Sequence, residues 1–331
     1  MQETRRQFLT TAAAAAAGVA MGRHGAHAAD DDAALLAAAK KEGRVTVYSN
    51  ADPGATERTL RAFSAKFGIT TDYQRLTGAA LAQRFNAEYE TGNNLADLFI
   101  SSDPIYPKDA MKKGLLVHST DLPAMSVWPK DGYLDGLVPL NINPYVLAWN
   151  TSLIPEGLKS FEALNDAKFR GKVMVGDPRV LAAARLWYLA IIDKYGEGFL
   201  RDLGKHATFS PSVVPGLQQV AAGAMAVYAP TILLSANDIM EKGAPVNVAI
   251  VEPIVISQSL GAIPAKAPHP NAGRLLLNYW MTREGQEVYS KNSYTLLPNV
   301  PGTKVLSSYT KMDPEAGERA LGRINSLLGL G

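Results

Sequence analysis

Hydrophobic residues along this chain gather in short β-branched runs, each closed by a polar turn that opens a helix. Residues 44–53, RVTVYSNADP, set the pattern, which returns at 96–104, ADLFISSDP, and at 172–178, KVMVGDP. Asp suits a helix N-cap because its carboxylate accepts the first-turn amides, and Pro suits the first helical position, where its missing N–H costs nothing. Three strand-to-helix turns of one chemistry predict an α/β fold with parallel strands. Ligands in such sheets sit beyond the carboxyl ends of the strands.

Helical spacing fills the intervals. Residues 30–43 predict a helix with Leu35, Ala38 and Ala39 inward; Leu60, Phe63 and Phe67 mark a second before Gly68; Leu81, Phe85 and Tyr89 mark a third before Gly92. With strands at 45–48, 70–75 and 97–100, the first stretch reads βαβαβα. From 118 to 144 the chain turns rich in Pro, Asp and Gly, and strands at 138–142 and 145–149 predict a crossing into a second α/β unit. That unit holds a strand at 172–175, a long helix at 180–195, a helix at 216–222, a strand at 224–228 and a helix at 232–242. Residues 246–263 predict the return. The expected division is therefore a leader at 1–28, a first lobe of 29–143 plus about 256–300, a second lobe of 144–255, and a C-terminal helix segment of 301–331. A chain that leaves one lobe and comes back permits a hinge between them.

The N-terminus changes the compartment. Thr4-Arg5-Arg6-Gln7-Phe8-Leu9, an Ala-rich run to Met21, and Ala26-His27-Ala28 form a twin-arginine export signal cleaved near Ala28, which predicts a periplasmic product. Three of the 33 Lys and Arg residues and one of the 31 Asp and Glu residues go with it, so the remainder is formally neutral. No basic cluster remains for nucleic acid. Cysteine is absent, which excludes disulfides and thiolate metal sites.

Catalytic templates are missing: there is no nucleophile elbow, zinc-protease helix, P-loop or dinucleotide fingerprint, and His118, His206 and His269 are scattered. Binding chemistry is better represented. Strand ends carry Ser49, Asn50, Thr77, Gly78 and Ser102, beside helix N-termini that favour anions. Asp103 and Asp177 read first as caps and second as ligands. Arg179 offers a bidentate clamp for carboxylate or phosphate, and Tyr145, Tyr228 and Thr231 lie where a ligand is within reach.

Taken together, Lys41-Glu42-Gly43, ADLFISSD, Gly114-Leu115-Leu116, residues 145–151 (YVLAWNT), Phe169-Arg170-Gly171-Lys172 and Arg283-Glu284-Gly285-Gln286 resemble the periplasmic solute-binding proteins of ABC importers, in the group that includes the ferric binders. The resemblance implies a type II periplasmic binding fold of two α/β lobes with a hinge and an interlobe cleft. It implies a non-enzymatic monomer without cofactor that hands a small solute to a membrane permease. Where iron binders carry a His, a Glu and an adjacent Tyr pair, this chain carries Asp52, Ser102 and Pro230-Thr231, a poor set for Fe³⁺. A small anionic organic solute or oxyanion is the expected cargo and no bound metal is expected. Alternatives are a ferric or metal-chelate binder of the same fold, a periplasmic enzyme, and a sensor-associated binding module.

Overall fold

The computed structural model describes residues 33–119, 121–129 and 136–331. The twin-arginine leader, its cleavage near Ala28 and the start of the first expected helix lie outside the described residues.

The chain opens with α1 (33–42), β1 (Arg44–Ser49), α2 (Pro53–Phe67), β2 (Thr70–Arg75), α3 (Gly78–Thr91), β3 (Leu98–Ser101) and α4 (Tyr106–Lys112). β4 (Leu116–Val117) and β5 (Val138–Pro139) precede the crossing to β6 (Asn143–Asn150). Then come β7 (Val173–Gly176), α5 (Ala184–Tyr195), α6 (Glu197–Gly204), β8 (Thr208–Ser210), α7 (Val213–Ala221), β9 (Val227–Ile232), α8 (Leu233–Met240) and β10 (Val246–Ala249). The chain returns through β11 (Ile256–Ser257) to β12 (Leu260–Pro264), α9 (Pro270–Met281) and α10 (Arg283–Tyr289), and closes with α11 (Pro314–Arg319) and α12 (Leu321–Leu328).

Two sheets result, ordered β2-β1-β3-β12-β4 and β10-β6-β9-β7-β8. β1 pairs in parallel with β2 and β3, and β7 with β8 and β9, as the repeated turns predict. Each sheet also takes an antiparallel strand at a crossing: β12 against β3, and β6 against β9. Both sheets are mixed for that reason.

Strand alternation divides each lobe's core in two. In β1 and β3, Val45, Val47, Leu98 and Ile100 face the cluster around Phe63 and Trp280, while Tyr48 and Phe99 face Leu81 and Phe85. In β7 and β9, Val173, Val175, Val227 and Ala229 face Trp187 and Ile191, while Met174 and Tyr228 face Leu217 and Val220 beneath α7. The terminal helix α12 adds Ile324, Leu327 and Leu328 to the second lobe's core.

Only one of the three Asp-Pro turns opens a helix directly. Asp52 accepts from the Ala55 amide at 2.9 Å with Pro53 first in α2. Asp177 instead closes a tight turn, its carbonyl accepting from Leu181 N at 2.8 Å, so the helix expected from 180 starts at Ala184. Arg185 Nε donates to the Pro178 carbonyl at 2.8 Å and holds that turn open. Residues 161–169 form two 3₁₀ turns, capped by Ser160 and Asp166.

A polar seam joins the lobes. Ser235, on α8, donates to the Asp52 carboxylate at the start of α2; Arg58 meets Asp238 at 2.6 Å; and Asn237 Nδ2 donates to the Asn292 carbonyl at 2.8 Å. α8 itself places Leu234 in the first lobe's core and Ala236 in the second's. Burial pushes the Asp52 carboxyl up, with Asp238 adding to it, against hydrogen bonds from Ser235 and Ala55 and the charge of Arg58.

Two outcomes follow from these contacts. Because the folded value of Asp52 lies above the unfolded one, its contribution to stability is complete below the ordinary carboxylate range and is lost as pH rises through the raised value. Asp52→Asn, an equally good N-cap, should therefore flatten the dependence of the melting temperature on pH between mildly acidic and neutral buffer, as read by circular dichroism. On α6, a Cβ at Gly198 meets nothing, whereas one at Gly204 would stand 2.5 Å from the Leu328 carbonyl oxygen. Gly198→Ala should stabilise by up to about 1 kcal/mol, and Gly204→Ala should destabilise by roughly 1–3 kcal/mol by displacing α12.

Candidate functional site

The strand ends and helix starts of both lobes enclose a cleft of about 380 Å³. On the first lobe its wall is built from the turns after β1, β2 and β3. The Ser102 amide and hydroxyl donate to Asn50 Oδ1 at 2.7 and 3.1 Å. A backbone N–H requires the acceptor end of the amide, so the Asn50 Nδ2 is turned away from Ser102. It lies 3.4 Å from where a Cβ on Gly78 would stand, and it has no acceptor among the described residues. Gly78 is the first residue of α3, which keeps the backbone of that helix start open beside the amide nitrogen.

Helix N-termini from both lobes border this cleft: those of α2, α3 and α4 from the first, and those of α5 and α7 from the second. α3 begins after Thr77 and α7 after Ser212, and both N-cap residues carry hydroxyls that make no cap hydrogen bond. Thr282, the hydroxyl N-cap of α10, does accept from the Gly285 amide. The first-turn amides of a helix have no intrahelical acceptor, and at the cleft the free ones are those of Gly78 and Ala79 in α3 and of Val213 and Val214 in α7, Pro215 having no N–H.

Arg75, the last residue of β2, lines the cleft as an exposed cation. Among the described residues its guanidinium has neither ion pair nor hydrogen bond. Sequence reasoning passed over it, although its place at a strand end, two residues before Thr77, is the signal that marked Asn50 and Ser102.

Arg179 also borders the cleft, but Asp177 already holds it. Its Nη2 lies 2.8 Å from Asp177 Oδ2, and its Nε and amide donate to Oδ1 at 3.0 and 2.9 Å. The guanidinium keeps the Asp177 carboxyl below the usual range. Tyr145 reaches the second lobe's wall, and burial pushes its phenol well up, so it remains a protonated donor.

Asn50, Thr77, Gly78, Ser102, Asp103, Tyr145 and Arg179 thus border one cleft. Ser49, Asp177, Tyr228 and Thr231 do not. Ser49 is buried and its hydroxyl accepts from Ala51 N at 3.0 Å. Asp177 is spent on the turn and on Arg179. Strand register aims Tyr228 under α7, where a Cβ on Gly216 would come within 2.7 Å of its ring. Thr231 is buried within β9, opposite Val146.

Among the described residues, four carboxylates border the cleft; Glu318 meets Arg185, and Asp109 carries an exposed ion pair with Lys112 at 4.0 Å. Asp103 Oδ1 accepts from the amides of Ile105 and Tyr106 at 2.8 and 3.1 Å, and Asp52 belongs to the interlobe seam. Among the described residues no three His, Asp or Glu side chains gather where they could hold a metal ion.

Among curated proteins, none matches the sequence. The family model described as bacterial extracellular solute-binding protein matches residues 45–295. Among solved structures, the chain is similar to the substrate-binding protein of an ABC transporter from Agrobacterium tumefaciens, with TM-score 0.76 and 18% identity over 86% of this chain and 94% of that one. It is similar to the periplasmic binding protein AfuA of Actinobacillus pleuropneumoniae, with fructose-6-phosphate bound, at TM-score 0.71 and 18% identity over 87% and 99% of the two chains. Iron-bound HitA of Pseudomonas aeruginosa gives 0.68 and 17% over 86% and 98%. Two mixed sheets, a chain that crosses between them and comes back, and free donors facing one another across the gap are the architecture of the type II periplasmic binding fold, and the chain belongs to the bacterial extracellular solute-binding proteins.

Proposed function

We propose that this protein is the substrate-binding component of an ABC importer, a periplasmic monomer that captures a small anionic organic solute or oxyanion by hinge closure and delivers it to an inner-membrane permease. The observation that carries this reading is the set of unsatisfied donors on both sides of the cleft. The α3 and α7 amides, Asn50 Nδ2 and the unpaired Arg75 all favour an anion, and they come from two lobes that a bound anion would draw together. The sugar phosphate held by AfuA, a protein of this fold, is in keeping with such a cargo. Binding rather than turnover fits both the family and the absence of a catalytic template in the sequence.

A ferric or metal-chelate cargo is the second reading, and iron-bound HitA is what favours it. Direct coordination would need Asp52 and Asp103 released from the helix starts they satisfy. A chelate carrying its own carboxylates would use the same donors as an anion.

A thermal-shift screen of the purified protein against carboxylates, phosphonates, sulfonates, sugar phosphates and ferric citrate tests the reading. A ligand at a hundred times its Kd should raise stability by about 2.7 kcal/mol, and at least one metal-free anion should do so. A response confined to the ferric chelate would overturn the anion assignment. For whichever anion responds, calorimetry should find Arg75→Gln and Asn50→Asp each weaker by at least about tenfold, the loss of a charge-assisted hydrogen bond.

A further inference from the structure

Beside the cleft lies a second cavity of about 330 Å³, and Ser102, Ala183 and Ser257 line both. Those three residues are walls common to both spaces. Leu186, Val255, Leu260 and Met312 give the second one apolar walls. Its lining also holds Lys108 and Lys311 and no acidic residue, in a chain whose formal charge is only +2. Among the described residues neither ammonium group has an ion pair or a hydrogen bond.

The two lysines come from opposite sides of the hinge. Lys108 sits on α4 in the first lobe. Lys311 lies on the segment that leads from the first lobe to α11, fixed to the second lobe where Thr310 N donates to the Ile254 carbonyl at 2.8 Å. An anionic group between them would be held by both lobes at once.

We propose that the cargo is an elongated organic dianion with an apolar middle, which fills both cavities: one anionic group at the α3 and α7 starts beside Arg75, the spacer across Ala183, and the second group between Lys108 and Lys311. The proposal rests on the anion reading above and narrows it. A monoanion would leave the second cavity's two cations unanswered, whereas a dianion of matching length engages both ends and couples its own length to closure.

Titration calorimetry with two matched series tests it. Succinate, glutarate, adipate and suberate are compared with butyrate, valerate, hexanoate and octanoate, and phosphonoacetate with methylphosphonate. At least one dianion should bind about tenfold or more tightly than its monoanionic match. Lys108→Gln and Lys311→Gln should each remove most of that advantage while leaving the affinity of the matched monoanion within about twofold, because both residues stand outside the first cavity. Melting temperatures of both variants, measured without ligand, check that they fold. Monoanions that bind as tightly as their matches, or lysine variants that leave the dianion affinity unchanged, would overturn the dianion proposal while the anion reading stands. If no member of either series binds, the dianion proposal fails, and silence from the wider anion screen as well would take the anion reading with it.

Discussion

Every helix start leaves amide groups that need acceptors, and this chain meets that need differently from one helix to the next. Asp52, Thr282 and Asp313 cap α2, α10 and α11 with their own side chains, and the Glu42 carboxylate accepts from Asn271 N and Ala272 N at the start of α9. At α3 and α7 the N-cap hydroxyls of Thr77 and Ser212 make no such bond. Those two ends border the cleft from opposite lobes. Amides left without an acceptor where the two lobes meet are donors for an acceptor brought from outside.

The seam at Asp52 supplies the opposite tendency. Its carboxylate is buried, accepts from Ala55 N within its own lobe and from the Ser235 hydroxyl of the other, and sits near the Arg58 and Asp238 pair. A buried carboxyl is tolerated when hydrogen bonds answer its oxygens, and here the answer comes from both lobes. α8 strengthens the link with Leu234 in one core and Ala236 in the other. The lobes are thus tied at the seam and separated at the cleft.

Much of the framework was legible because it depends on local periodicity. Leu60 and Phe63 in α2, Leu81 and Phe85 in α3, and the β-branched runs of β1 and β3 face the cores their spacing predicts. The repeated Asp-Pro turn was legible as capping chemistry, yet its three copies do different work. Asp52 opens a helix, Asp103 caps one two residues later, and Asp177 closes a turn and ties down Arg179. Nothing local distinguishes them, since the difference lies in contacts such as Arg185 to the Pro178 carbonyl.

By itself the sequence determined the α/β alternation, the crossings between two lobes, the family resemblance and the strand ends as the place where donors collect, because each depends on residues close together in the chain. Only the tertiary structure decided which of those donors are free. Arg179 is held by Asp177, Tyr228 is turned under α7 by strand register, and Arg75 has no ion pair among the described residues. That Lys108 and Lys311, some two hundred residues apart, border one cavity likewise depends on the path of the last segment.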